Sequence, residues 1–191
     1  ALIDRALDGV TSEKFWPCDL LMGADSNKIL FRKVIVRNDY VVPPEAGIGS
    51  EAVTVANMES TLSCVFQLLI SSSYIGMLLA LVRIVIRESQ ESEKIDYISS
   101  IESCCMMLDH LALSIDHKDV SIDNLASASM VTHQIRRIVT ECLNSISQKI
   151  GGVNYLGNQE IRYLIQIIRC INFHPPSFND RKIIINSIFS L

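Results

Sequence analysis

Residues 148–177 read QKIGGVNYLGNQEIRYLIQIIRCINFHPPS. Gly151 and Gly152 open a turn, a long apolar-rich helix follows, and His174-Pro175-Pro176 ends it. The whole chain holds 8 glycines and 5 prolines among 191 residues. Breakers this sparse argue against a turn-rich all-β fold, and their concentration at the two ends of one segment marks a helix with defined limits.

Working outward, the helix of this stretch covers 157–173 and is preceded by another over 121–150. Residues 92–117 place Ile95, Ile98, Ile101, Cys105, Leu108 and Leu111 at three- and four-residue spacings, one face of a helix. Residues 51–88 form an apolar segment too long for a strand. "FND" at 178–180 starts a last short helix that runs to Leu191. Four long helices with short joins predict a mainly α fold, an antiparallel four-helix bundle over 46–191.

Residues 1–45 read differently, as the end of a β-domain with its linker. After the turn chemistry of "MGADSNK", Phe31, Lys33, Ile35 and Arg37 alternate with Arg32, Val34 and Val36. That period of two predicts a strand, followed by an extended exit at Pro43-Pro44.

Composition excludes several functions. Net charge is −4 and no basic cluster would neutralise a run of phosphates, so nucleic acid is not an expected partner. The six cysteines lack C-x-x-C spacing, and no set of residues signals a metal site. They read as reduced, buried cysteines of a cytoplasmic protein. Cys64–Val82 runs 19 residues without a charge, the length of a membrane span. Gln67 and Ser71–Ser73 dilute it, however, and Arg83 and Arg87 are balanced by Glu88, Glu91 and Glu93. The central helix of a bundle, packed against a second subunit, is the expectation, with no membrane span. The chain starts "ALIDRALDG" without an initiator methionine, as expected of a processed or truncated product or one part of a longer protein.

Three stretches together carry a resemblance. "LLMGADSNKILFRKVIVRNDYVVPP" looks like the last strands of a β-domain, "SSSYIGMLLALVRIVIRE" like a long first helix, and "SQKIGGVNYLGNQEIRYLIQIIR" like a "Q-x-x-G-G-x-G-Y" turn with the helix after it. In this order they resemble the C-terminal part of the acyl-CoA dehydrogenase family, from about residue 20 to the end. The resemblance implies FAD bound between subunits and oxidation of an acyl thioester on CoA or a carrier protein. It also implies a homo-oligomer, or a hetero-oligomer with a chain supplying the N-terminal domains that are missing here.

Carried onto this chain, the family's diphosphate-facing positions are Gln148, Gly151 and Gly152, with Ser177 as a further cofactor-binding candidate. Glycines let backbone N–H groups approach an anion closely. A helix C-cap explains one glycine equally well, though not the second. The family's catalytic glutamate falls at Pro175, within His-Pro-Pro, and proline is no base. Two substitutes are available as catalytic residues. His174 adjoins the lost position and titrates near neutrality, or else simply caps its helix. Glu59 lies on the first long helix, seven residues before Phe66, which holds the alternative glutamate position; otherwise it is a carboxylate stabilised by the helix N-terminus. The family's flavin arginine in "R-x-x-F-G" has no counterpart, and Arg83 and Arg87 read equally well as a solvated face. Two classes follow: a divergent dehydrogenase-like flavoprotein, and a non-catalytic helical module that completes a partner's FAD site.

Overall fold

In a computed structural model the structure describes residues 3–15, 20, 27–41, 50–86, 91–116, 122–174, 182–183 and 185–186. The chain forms two compact units, Ala1–Val55 and Ala56–Leu191.

In the first unit β1 (Val10–Lys14) pairs antiparallel with β2 (Asn27–Phe31), Val10 opposite Phe31 and Lys14 opposite Asn27. The pairing continues one step as Arg32 N–H donates to the Gly9 carbonyl at 2.9 Å. Gly9 holds φ +85°, and a Cβ there would collide with the Arg32 carbonyl oxygen, so only glycine fits. The strand expected over Phe31–Arg37 is not found there: of that segment only Phe31 lies in a strand, the last residue of β2. Lys33 turns to φ +53°, a left-handed conformation that ends a ladder, and Ile35 stands 86% exposed. A 3-10 turn at Asn38–Tyr40 follows, where Arg37 forks onto the Asp39 carboxylate.

The second unit is the helical bundle. α1 (Ser50–Val85), α2 (Glu91–Asp116), α3 (Ile122–Gly157) and α4 (Gln159–Arg169) follow one another in the chain, in good agreement with the segments read from sequence. α2 and α3 run antiparallel: Tyr97 and Ser145 hydroxyls meet at 2.8 Å, and Asn124 Nδ2 donates to the Ser114 carbonyl. Cys64 of α1, Leu111 of α2 and Ala128 of α3 form one buried cluster. Leu78, Leu81, Ile135, Ile146 and Ile168 are also buried, each contributing about 1.5–3 kcal/mol of transfer free energy.

A polar seam crosses this core. Gln67 and Ser71 on α1, with Ser129, Thr132 and Arg136 on α3, are all buried. Thr132 Oγ1 donates to Gln67 Oε1 at 3.1 Å, pairing those two buried groups, whereas the Ser129 hydroxyl has no hydrogen-bond partner among the described residues.

Two described segments are long and apolar enough to cross a membrane, Ser60–Val85 and Lys94–Asp116; the sequence reading noted such length only at Cys64–Val82 and expected a bundle helix there. The second carries exposed Glu102 and Asp109. The expected last helix through Leu191 lies outside the described residues, apart from helical 182–183 and 185–186.

Candidate functional site

α3 carries Thr132, Val139, Leu143, Ile146 and Ile150 as a buried stripe until Gly151, whose φ of 68° and ψ of 160° break the helix. Only glycine occupies that region without strain. The chain resumes helix at once, so the glycine pair makes a kink rather than the expected open turn. Asn158 then caps α4, accepting from the Glu160 and Ile161 N–H groups at 3.0 and 3.2 Å and satisfying two otherwise orphaned donors. Arg162 Nη1 donates to the Leu156 carbonyl at 2.8 Å, fixing the corner.

The kink opens a groove between α3 and α4. Ser147, Gly151, Gly152, Tyr155, Ile165, Gln166 and Arg169 line about 370 Å³. Its described lining contains no carboxylate, and Arg169 supplies a positive charge. Gly152 is exposed, and a Cβ there would meet nothing within 4 Å. Unlike Gly151 it has no positive φ. Among the described residues, neither backbone conformation nor packing requires glycine at 152.

His174 lies at the other end of α4, after the 3-10 turn Cys170–Phe173. Its carbonyl accepts from Arg136 Nη2 at 2.9 Å, and its ring meets the Tyr74 ring edge-on with centroids 5.4 Å apart. His174 Nε2 and the Tyr74 hydroxyl are buried and have no hydrogen-bond partner among the described residues. Burial, reinforced by the Arg136 charge, lowers the His174 pKa below 6.5, so the ring is neutral near pH 7. Burial, with Cys170 adding to it, raises the Tyr74 pKa well above the ordinary phenol range. A neutral imidazole with an unpartnered nitrogen has the acid–base state a general base needs.

The structure brings together only some of the sequence-read residues. Gly151 and Gly152 share a groove with Arg169, while Gln148 is exposed and does not line it. The Arg136 level on α3 lies 15 residues before Gly151, roughly 22 Å along a helix, so His174 and the glycine groove are separate features. Glu59 sits in the third turn of α1, which begins at Ser50; stabilisation by the helix N-terminus fades beyond the first turn and does not apply. It is also 15 residues from Tyr74, the α1 residue that meets His174, again roughly 22 Å. Phe66, at the alternative glutamate position, is 45% exposed. Ser177 and Pro175 lie outside the described residues.

Sequence reasoning missed Arg136, Tyr74 and Arg169. The signal for Arg136 was present: it falls on the stripe of Thr132, Val139 and Leu143, where a charge is out of place unless paired.

No protein-family model matches the chain. It is similar to an isobutylamine N-hydroxylase of Streptomyces viridifaciens, 21% identical over 170 residues, which is 88% of this chain and 44% of that enzyme. The relationship is distant, and it is to an oxidoreductase. The chain spans less than half the length of that relative.

Proposed function

We propose that this chain is the helical, flavin-facing part of a larger cytoplasmic oxidoreductase that uses FAD. The observation that carries the reading is Gly152, a residue whose missing side chain nothing among the described residues explains. It stands beside Arg169 in a groove with no described carboxylate. There a glycine lets a phosphate oxygen reach backbone N–H groups that a Cβ would shield, and a guanidinium supplies charge-assisted hydrogen bonds. At about 370 Å³ the groove is at the small end of ligand sites. It suits the diphosphate portion, with a second copy or a chain carrying the N-terminal domains enclosing the rest. When bound, the flavin supplies hydride acceptance or, once reduced, electrons for dioxygen.

Two substrate classes fit that cofactor. Oxidation of an acyl thioester on CoA or a carrier protein needs a base for the α-proton; neutral His174 meets the protonation requirement, and the family's glutamate is replaced by Pro175. N-oxygenation of an amine converts R–NH2, O2, two electrons and two protons into R–NHOH and water, and needs no base at an acyl α-carbon. The similarity to an N-hydroxylase and the proline at the glutamate position favour this second class.

The test is the visible spectrum of the purified intact protein, followed by two assays: dye reduction with acyl thioesters, and hydroxylamine formation from primary amines with reduced flavin and oxygen. Flavin bands with hydroxylamine product support the amine reading, and flavin bands with dye reduction support the thioester reading. Flavin without turnover marks a helical module that completes a cofactor site, and an intact protein unable to bind flavin overturns the proposal.

A further inference from the structure

His174 is a titratable ring held against the bundle by contacts that suit only its neutral form. From α1, the Tyr74 ring meets it edge-on with centroids 5.4 Å apart. From α3, Arg136 donates to its carbonyl at 2.9 Å, and its charge acts on the ring. From the 3-10 turn just before it, Cys170 lies close enough to act on Tyr74. The titratable and charged groups around the ring, among the described residues, are thus a phenol, a guanidinium and a thiol. No described carboxylate acts on it.

An added proton has no acceptor on this site. Both nitrogens of an imidazolium donate, yet Nε2 is buried and bonds neither to the Tyr74 hydroxyl nor to any other described group. The new charge would also stand beside Arg136, a cation that is itself only 5% exposed. A buried charge without a partner is neutralised or moved to water. Burial first, and then the Arg136 charge, oppose protonation while the ring stays docked. Undocking is the other remedy.

The part free to move is short. α4 is tied down independently of His174, by the Asn158 cap at its start and by buried Ile161, Leu164, Ile165, Ile167 and Ile168. The turn beyond it has far less. Ile171 is its one buried residue, and Phe173 stands 84% exposed. Of the contacts that hold the turn, both the Arg136 bond and the Tyr74 ring contact run through His174. Expelling the ring removes the two together, and segments with so few buried contacts open at low cost.

We propose that His174 is an acid-released latch, whose protonation undocks Cys170–His174 from α1 and α3 while α4 and the rest of the bundle stay folded. Residues 175–191 continue directly from His174, so release shifts the point from which they leave the bundle. The latch does not depend on the flavin reading.

Amide hydrogen exchange on the intact protein between pH 5 and 8, corrected for the intrinsic pH dependence of exchange, reads the latch. Protection at Cys170–Phe173 is expected to be flat above pH 6.5, the ordinary histidine value. Below it, protection is expected to fall by up to about tenfold per pH unit, the limit for one proton taken up on release. Protection at Leu164–Ile168 is expected to stay unchanged. His174→Gln, neutral throughout, is expected to abolish the pH dependence. A turn whose protection ignores pH, a turn and α4 that lose protection together, or an undiminished slope in His174→Gln would each overturn the proposal. Should the glutamine leave the turn open at every pH, the imidazole resonances of wild type decide. Loss of protection in step with their titration supports the latch, and loss without titration overturns it.

Discussion

Arg136 Nη2 donates to the main-chain carbonyl of His174 at 2.9 Å from a side chain that is only 5% exposed. The guanidinium thus ties the middle of α3 to the point where the chain leaves α4. Hydrogen bonds from charged donors are the stronger kind, and a carbonyl stripped of its donor is costly when buried. Arg136→Met should lower unfolding free energy by about 1–3 kcal/mol, read from the urea midpoint at unchanged slope. The same variant removes a positive charge beside the imidazole, so the His174 pKa should rise toward, without reaching, its ordinary value, because burial, the larger cause, remains. An NMR titration unchanged in Arg136→Met would show that the two groups do not interact.

His174 also sets a pH dependence. Its folded pKa is depressed below the unfolded value of 6.5, so near and below that pH the unfolded chain binds the proton more readily. The contribution to stability is complete above 6.5 and declines as pH falls through the folded pKa. His174→Gln should therefore flatten the stability profile on the acid side of pH 6.5 while leaving the neutral side less affected. The comparison to make is thermal unfolding of wild type and variant across pH 5 to 8, and parallel profiles would exclude the histidine as the titrating group.

The two adjacent glycines should respond oppositely to one methyl group. Gly151 occupies φ 68°, ψ 160°, so Gly151→Ala should cost about 1–3 kcal/mol in backbone strain. Gly152 has open space and no positive φ, and alanine is the better helix former there by about 0.5–1 kcal/mol. Gly152→Ala should then be as stable as wild type or slightly more so, yet bind flavin at least tenfold more weakly if a phosphate approaches that backbone. Equal flavin affinity in a stable Gly152→Ala protein would leave the second glycine unexplained by a cofactor.

The helices were legible because their signals are local. Residues 92–117 were read and Glu91–Asp116 found, since the spacing from Ile95 to Leu111 repeats the helical period and charged, polar joins flank it. Gly151 was legible as a break but not as a kink of one residue, which depends on Asn158 and Arg162 holding the far side. β1 escaped notice because Val10–Lys14 is mostly exposed and offers no apolar alternation. Tyr74, Arg136 and His174 come from three distant parts of the sequence, and only tertiary packing assembles them. His174 is legible from its place in His-Pro-Pro and Arg136 as a charge on an apolar stripe, whereas Tyr74 leaves no such trace.

Cys104 offers a probe of the core itself. Burial, with Cys142 and Cys105 nearby, pushes its thiol pKa up to about 12. At pH 8 the reactive thiolate is then on the order of one part in ten thousand, and the thiolate is the nucleophile. Cys104 sits on α2 with relative exposure of 1%, whereas Cys105 is half-buried and should be alkylated first. Labelling of Cys104 is therefore expected to proceed only as fast as the bundle opens, and to accelerate in urea in step with the loss of helical circular dichroism. Rapid labelling of Cys104 in the fully folded protein, located by peptide mapping, would mean that α2 separates from α3 without global unfolding. The Tyr97–Ser145 bond would then be too weak to hold the two helices together.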